Sequence, residues 1–338
     1  MLKYEGVRGR VQIVDHTSEL LANNALGDPP VRRVAVWTPP GYEGNGETRY
    51  PTIYYLASFT SSGLKALNWD GFSENIVERL DRLVGSGQMA PTIVVMPDGF
   101  TSLGGNQYID SPAVGPWASY LTNELVPFVD KNWRTLDACE HRGVFGYSSG
   151  GYGALVHGML HPDVWGGIAC HSGDMYFPYA CLPDFPMAID TLRRFEGNPA
   201  AFLKKMRTKI KLRGSDIMTL MILALAAFYD PDLENPDRIQ LPFDARTGEL
   251  IDERWQQWLR WDPIQMAEDH VDNLKKLKCL FFDCGSRDQY RLHHGARILA
   301  QRFEDLGVPH RYEEFDDDHS SIQYRYDVSL PLLADTLS

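Results

Sequence analysis

Long apolar runs are missing from this chain of 338 residues. The longest, Ile217 to Phe228 (IMTLMILALAAF), falls short of the roughly 20 residues that a bilayer-crossing helix requires, so no membrane partner is expected. A cationic segment followed by an apolar stretch is also missing from the start, where MLKYEGVRGRVQIVDHTSEL is mixed and polar; this is not the pattern of a secretory leader. Positive charge is in deficit. Lys and Arg number 33 against 45 Asp and Glu, for a net charge of -12, which argues against nucleic acid and anionic membranes as partners. Cysteine is scarce, five residues without C-x-x-C spacing. An odd, unspaced set fits a reduced cytoplasmic protein better than a disulfide framework, and Cys279 and Cys284 flank a buried-strand pattern where unpaired thiols are the default. Internal repeats and low-complexity tracts are absent as well.

What the chain does have is ordinary globular material, with 43% hydrophobic and 23% charged residues, ample for a core. Its organising stretch is Arg142 to Leu155, RGVFGYSSGGYGAL. A short apolar run leads into Gly146-Tyr147-Ser148-Ser149-Gly150, and small residues continue into a helical pattern. This is strand, tight turn and helix, with Ser148 at the apex of a G-x-S-x-G nucleophile elbow. A serine held on a strained turn needs neighbours without bulk, so that strand and helix pass close by and the hydroxyl stays exposed. The helix that follows aims its N-terminal amides at the serine, where they can stabilise an oxyanion.

Strand patterns occur at Val11–Val14, Arg33–Thr38, Pro51–Leu56, Thr92–Met96, Gly166–His171, Lys278–Cys284 and His310–Phe315. Helical patterns occupy Asn75–Val84, Trp117–Asp130 (with an internal proline) and roughly His294–Leu306. Strands alternating with helices at both ends predict an α/β fold with a mainly parallel central sheet flanked by helices. The character changes between residues 174 and 262, which reads as a mostly helical cap inserted into a core of residues 1–173 and 263–338. An insertion there would overhang the carboxyl ends of the strands. The run Ile217–Phe228 is then either ordinary cap core or the lining of an acyl pocket. Trp255, Trp258 and Trp261 have helical spacing and are expected to pack.

A serine nucleophile needs a histidine base oriented by a carboxylate. In the order Ser…Asp/Glu…His both partners should lie downstream, on loops after strands. Phe281 to Asp288 (FFDCGSRD) gives a strand and then a turn carrying Asp288, whereas Asp283 sits within the strand and is less able to reach the site. His319 follows the last strand pattern, behind Asp316-Asp317-Asp318. His293, His294 and His161 are rivals, the first two too close after Asp288 and the third at a helix end. The three aspartates lack the ligand spacing of a calcium loop. The oxyanion hole requires two backbone N–H groups, one from Ser149 and one from the loop after the Pro51–Leu56 strand, at Phe59 or its neighbour.

On YPTIYYLASFTSS, IVVMPDG, ELVPFVDKNWRTL leading into GVFGYSSGGYGAL, HPDVWGGIACHSGD, FFDCGSRD and GVPHRYEEFDDDH, the chain resembles the putative-esterase (esterase D, enterochelin-esterase-like) family of the α/β-hydrolase superfamily. The collinear set covers nearly all of the chain outside the inserted segment. The resemblance implies Ser148 as nucleophile, Asp288 as acid and His319 as base, with the amides of Phe59 and Ser149 as oxyanion donors. Two departures stand out: Ala57-Ser58 where many relatives carry His-Gly or Ser-Gly, and Ser149 where they commonly carry Met.

The expectation is a serine carboxylic-ester hydrolase working through an acyl-enzyme on small or aryl/medium-chain acyl esters, without metal or organic cofactor. An acyltransferase of the same fold and a non-catalytic binding protein are the alternatives. The partner is a small-molecule ester, with homo-oligomerisation left open.

Overall fold

The structure, a computed structural model, describes residues 4–44 and 46–338. Eight strands form one sheet: β1 Arg10–Thr17, β2 Val31–Thr38, β3 Thr52–Leu56, β4 Ile93–Pro97, β7 Arg142–Tyr147, β8 Gly167–His171, β9 Cys279–Gly285 and β10 Arg311–Phe315. Two-residue strands β5 Asp110–Ser111 and β6 Gly115–Pro116 pair apart from it. The order across the sheet is β1-β2-β4-β3-β7-β8-β9-β10. β2 pairs antiparallel to both β1 and β4, and every other pairing is parallel. The parallel strands read as continuous apolar runs because both faces are covered.

The side-chain alternation of each strand divides its residues between two cores. Tyr54, Leu56, Val95, Val144, Ile168 and Phe282 face one layer, against Trp117, Tyr120, Tyr152 and Leu155. Ile53, Tyr55, Val94, Phe145, Ala169 and Phe281 face the other, against Leu80 and Leu83 of the helix Ile76–Gly85 and Leu330, Leu333 and Leu337 of the helix Tyr326–Leu337. Asn75 starts the first of these helices with a capping box: Glu78 N donates to its side chain at 2.9 Å, and the Glu78 carboxylate accepts from Asn75 N at 3.2 Å. The helical pattern of Trp117–Asp130 is realised with a difference. Residues Tyr120–Leu125 form a wide π turn before Val126–Asn132 resumes. Pro127 has no amide to donate, and the π turn lies directly upstream of it.

Residues 174–262 contain the helices Phe177–Ala180, Phe185–Leu192, Pro199–Met206, Gly214–Tyr229 and Asp252–Leu259 and no strand of the main sheet. Ile222 to Tyr229 are buried, and all but Leu223 join the same apolar cluster as Tyr152 and Tyr54. Trp258 is buried against Phe185 at 5.6 Å and Tyr229 at 5.5 Å. Residues 174–262 therefore pack into the same apolar core as the sheet, and the buried half of the Ile217–Phe228 run is packing. The five cysteines are unpaired, all but Cys139 buried. Among the described residues no helix is long and apolar enough to cross a membrane.

Candidate active site

At the carboxyl end of β7, Ser148 adopts φ 57° and ψ −125°, and the helix Ser149–Leu160 starts immediately after it. A non-glycine residue with positive φ costs on the order of 1–3 kcal/mol and persists only where the surroundings hold it. Here they do. Ser148 N donates to the His171 carbonyl at 2.9 Å, and Tyr152 N to the Ser148 carbonyl at 2.9 Å. A Cβ on Gly150 would lie 1.9 Å from the Leu56 carbonyl oxygen, and one on Gly146 2.3 Å from the Gly150 backbone. Only glycine allows strand and helix to cross this closely.

Asp288 and His319 come from loops after the neighbouring strands β9 and β10. His319 Nδ1 and Asp288 Oδ2 are 2.7 Å apart, with Asp288 2% and His319 6% exposed. The other Asp288 oxygen accepts from Tyr290 N at 2.8 Å. His319 is held on all sides. Its amide donates to Gln289 Oε1 at 2.9 Å, its carbonyl accepts from the Tyr147 hydroxyl, and the rings of Tyr147 and Tyr290 each lie 4.8 Å from its own. Tyr147 precedes Ser148 in the chain, so one side chain fastens the elbow to the histidine loop. Sequence patterns did not single out Tyr147 or Tyr290.

Asp283 has a different partner. It stands in register with His171 across β8 and β9, and its Oδ1 lies 2.7 Å from His171 Nδ1. His171 Nε2 is 2.8 Å from the Ser329 hydroxyl, and Asp283 Oδ2 accepts from Arg325 Nε at 2.8 Å. His171, Asp283 and Ser329 are all within 1% of complete burial. His161 packs on His157 at 4.9 Å, whose pKa burial lowers to about 3, and His293 packs at a tilt on His294 at 4.1 Å. None of these reaches the elbow through a hydrogen bond to Asp288. The aspartates before His319 are drawn to separate partners: Asp316 to Arg287, Asp317 to the Tyr324 hydroxyl at 2.9 Å and Asp318 to Ser320 N at 2.6 Å. Among the described residues no group of His, Cys, Asp or Glu is arranged to hold a metal ion.

Phe59 is buried on the loop after β3, its backbone tight against Gly105 and its ring beneath Gly104. The Tyr108 hydroxyl pins this loop by donating to the Ala57 carbonyl at 2.7 Å. Ser149 is the first helical residue, so its amide lacks an intrahelical acceptor. Its hydroxyl accepts from Gln107 Nε2 at 3.0 Å, and Gln107 in turn accepts from the Tyr229 hydroxyl at 3.2 Å. Asp174 sits on the loop after β8, between Ser172 at φ 42° and Tyr176 at φ 57°. Burial pushes its carboxyl up to about 6, against the attraction of His319. The Gln107 relay escaped sequence reasoning, because nothing in the spacing of Gln107, Ser149 and Tyr229 marks them as neighbours.

A model of the family described as Putative esterase matches residues 28–330. An esterase of Mycobacterium tuberculosis is 28% identical over 162 residues, 46% of this chain and 31% of the relative. An endo-1,4-beta-xylanase/feruloyl esterase of Xylanibacter ruminicola is 30% identical over 149 residues, 42% of this chain and 20% of the relative. The matched segment thus spans less than a third of the length of either protein. Among solved structures, a ferulic acid esterase superposes with a TM-score of 0.62 at 19% identity, covering 98% of this chain and 99% of the other. An S-formylglutathione hydrolase of Agrobacterium tumefaciens does so with a TM-score of 0.58 at 17% identity, over 100% and 99%. The match across most of the chain, with an α/β-hydrolase-like fold, places it: the protein belongs to the putative esterase family.

Proposed function

We propose that the protein is a serine hydrolase of carboxylic esters, with Ser148 as nucleophile, His319 as general base and Asp288 as the carboxylate that orients it. The observation that carries this reading is the 2.7 Å Asp288–His319 pair tied through Tyr147 to a serine held at φ 57° on its elbow. Because Nδ1 of His319 is engaged by Asp288, Nε2 is the nitrogen left to take the Ser148 proton. Ser148 Oγ attacks the ester carbonyl, and the developing oxyanion is met by the amides of Ser149 and Phe59. The imidazolium returns its proton to the leaving alcohol, and an acyl-enzyme remains. Water, deprotonated by the same imidazole, releases the acid and restores Ser148. Each proton moves between His319 and an oxygen, so the cycle closes without a cofactor.

Small, aryl or medium-chain acyl esters are the proposed substrates. Aromatic side chains at the site suit them, among them Tyr147 and Tyr290, whose rings each lie 4.8 Å from His319. Hydrolysis of p-nitrophenyl esters from C2 to C12 by wild type and Ser148→Ala tests the reading. Activity on part of the series that disappears in the variant is the expected result. Equal activity in both proteins would remove Ser148 from the mechanism.

A further inference from the structure

Two backbone N–H groups must point at one developing charge in the ester-hydrolysis cycle, and they belong to different elements. Ser149 opens the helix after β7, and Phe59 lies on the loop after β3. One segment from elsewhere in the chain, Gly104 to Tyr108, touches both. At one side, Gln107 Nε2 donates to the Ser149 hydroxyl at 3.0 Å. At the other, the Tyr108 hydroxyl donates to the Ala57 carbonyl at 2.7 Å, in the peptide unit just before the one that carries the Phe59 amide. Gly105 packs on the Phe59 backbone itself, where a Cβ would lie 2.3 Å from the Phe59 Cα.

The segment is held rigidly in turn. Tyr108 has φ 59°, a conformation that a non-glycine residue keeps only where its surroundings impose it. Its amide donates to Asn106 Oδ1 at 2.6 Å, and Asn106 Nδ2 donates to the Gly99 carbonyl at 3.1 Å. Its carbonyl lies 2.8 Å from His157 Nε2. Trp165 Nε1 donates to His157 Nδ1 at 3.0 Å, so Nε2 carries the imidazole proton and donates to that carbonyl. His157 belongs to the helix Ser149–Leu160, and the Tyr108 ring lies over Gly153 of the same helix, where a Cβ would come within 2.6 Å of it. Tyr108 thus ties the helix behind the nucleophile to the loop of Phe59. The cap adds a last tie, since the hydroxyl of Tyr229, at the end of the helix Gly214–Tyr229, donates to Gln107 Oε1 at 3.2 Å. Asn106, Gln107 and Tyr108 are all buried.

We propose that Gln107 and Tyr108 are the positioning residues of the oxyanion hole. They hold the Ser149 and Phe59 amides in one fixed relation, and the Tyr229 hydroxyl latches this arrangement to the cap. The inference rests on the esterase reading above and gives a role in it to residues that the cycle itself does not use. A reacting geometry displaced by about 1 Å costs on the order of 100-fold in rate. Donors aimed at a charge that exists only in the transition state act on kcat and leave ground-state binding nearly untouched.

Tyr108→Phe, Ser149→Ala and Tyr229→Phe each delete one hydroxyl, and the p-nitrophenyl ester on which the wild type is most active reads the effect. The first two are expected to lower kcat by about tenfold or more with KM within about twofold, and Tyr229→Phe to act in the same direction by a smaller factor. Affinity for butyl trifluoromethyl ketone, to which Ser148 adds as a tetrahedral oxyanion, should fall in step with kcat/KM. In the Ser149→Ala background Tyr229→Phe should cost nothing further in kcat, because it acts through the bond already cut. Variants that melt lower but keep kcat and ketone affinity within about twofold overturn the proposal, as that is what packing alone produces. A loss carried by KM overturns it as well. If Tyr108→Phe or Ser149→Ala does not fold, Tyr229→Phe decides by the same criteria. Hydrolysis that persists in Ser148→Ala, or is absent from the wild type on every ester, overturns the esterase reading instead.

Discussion

Two aspartate–histidine pairs sit at the carboxyl end of one sheet, and their contrast separates a reactive arrangement from a structural one. Both have a carboxylate 2.7 Å from Nδ1 of an imidazole, and His171 even has a serine hydroxyl 2.8 Å from its other nitrogen. Ser329, however, lies inside the regular helix Tyr326–Leu337 with no solvent contact, and Asp283 is already met by Arg325. Ser148 stands on a strained turn and is half-buried, and His319 remains 6% exposed where His171 is closed off altogether. The triad of side chains is therefore not itself the signature. Strain at the serine and its partial exposure make the difference.

The largest effects test that difference directly. Ser148→Ala is expected to lower kcat/KM for a p-nitrophenyl ester by about 10⁴-fold or more, whereas Ser329→Ala lowers it by less than about threefold. Steady-state assays on both folded variants decide, and comparable losses would erase the distinction drawn here. Asp288→Asn should cost about 10⁴-fold in kcat with little change in melting temperature, since the amide favours the wrong imidazole tautomer. Asp283→Asn should do the reverse. Removing one charge from the buried pair with Arg325 destabilises by about 3 kcal/mol, visible in urea unfolding, while the folded fraction keeps its turnover.

The smallest effect concerns Asp174, a carboxylate within electrostatic reach of the Asp288–His319 pair. Its folded-state value, pushed up to about 6 by burial with His319, Asp288 and Asp184 facing it, exceeds the roughly 3.9 of an unfolded chain. The folded state therefore binds the extra proton between those values. Stability from this group is fully present below about pH 4 and lost as pH rises through 6. Asp174→Asn should accordingly melt higher than wild type at pH 8, by the equivalent of about 1–2 kcal/mol, and show no advantage at pH 4.

Much of this was legible in the residues. The apolar runs PTIYYL and TIVVM, the glycines around Ser148 and the positions of Asp288 and His319 after strands follow from local pattern and strand–loop order. What stayed hidden depends on register. His171 and Asp283 are 112 residues apart and meet because β8 and β9 align them. Gln107 meets Tyr229 122 residues away only once the helix Gly214–Tyr229 packs down. The wide turn at Tyr120–Leu125 was hidden because an internal proline signals a disturbance without stating its form.

The helix Tyr326–Leu337 and the 3₁₀ turn before it have a consequence for how the protein is made. Asp283 leaves the ribosome 42 residues ahead of Arg325, the cation that neutralises it. At translation rates of about 5–20 residues per second that interval is roughly 2–8 s. During it β9 carries a carboxylate without its counter-charge, and the sheet face that Leu330, Leu333 and Leu337 will cover lies bare. Closing of this face of the sheet therefore waits for Arg325 and the helix that follows it.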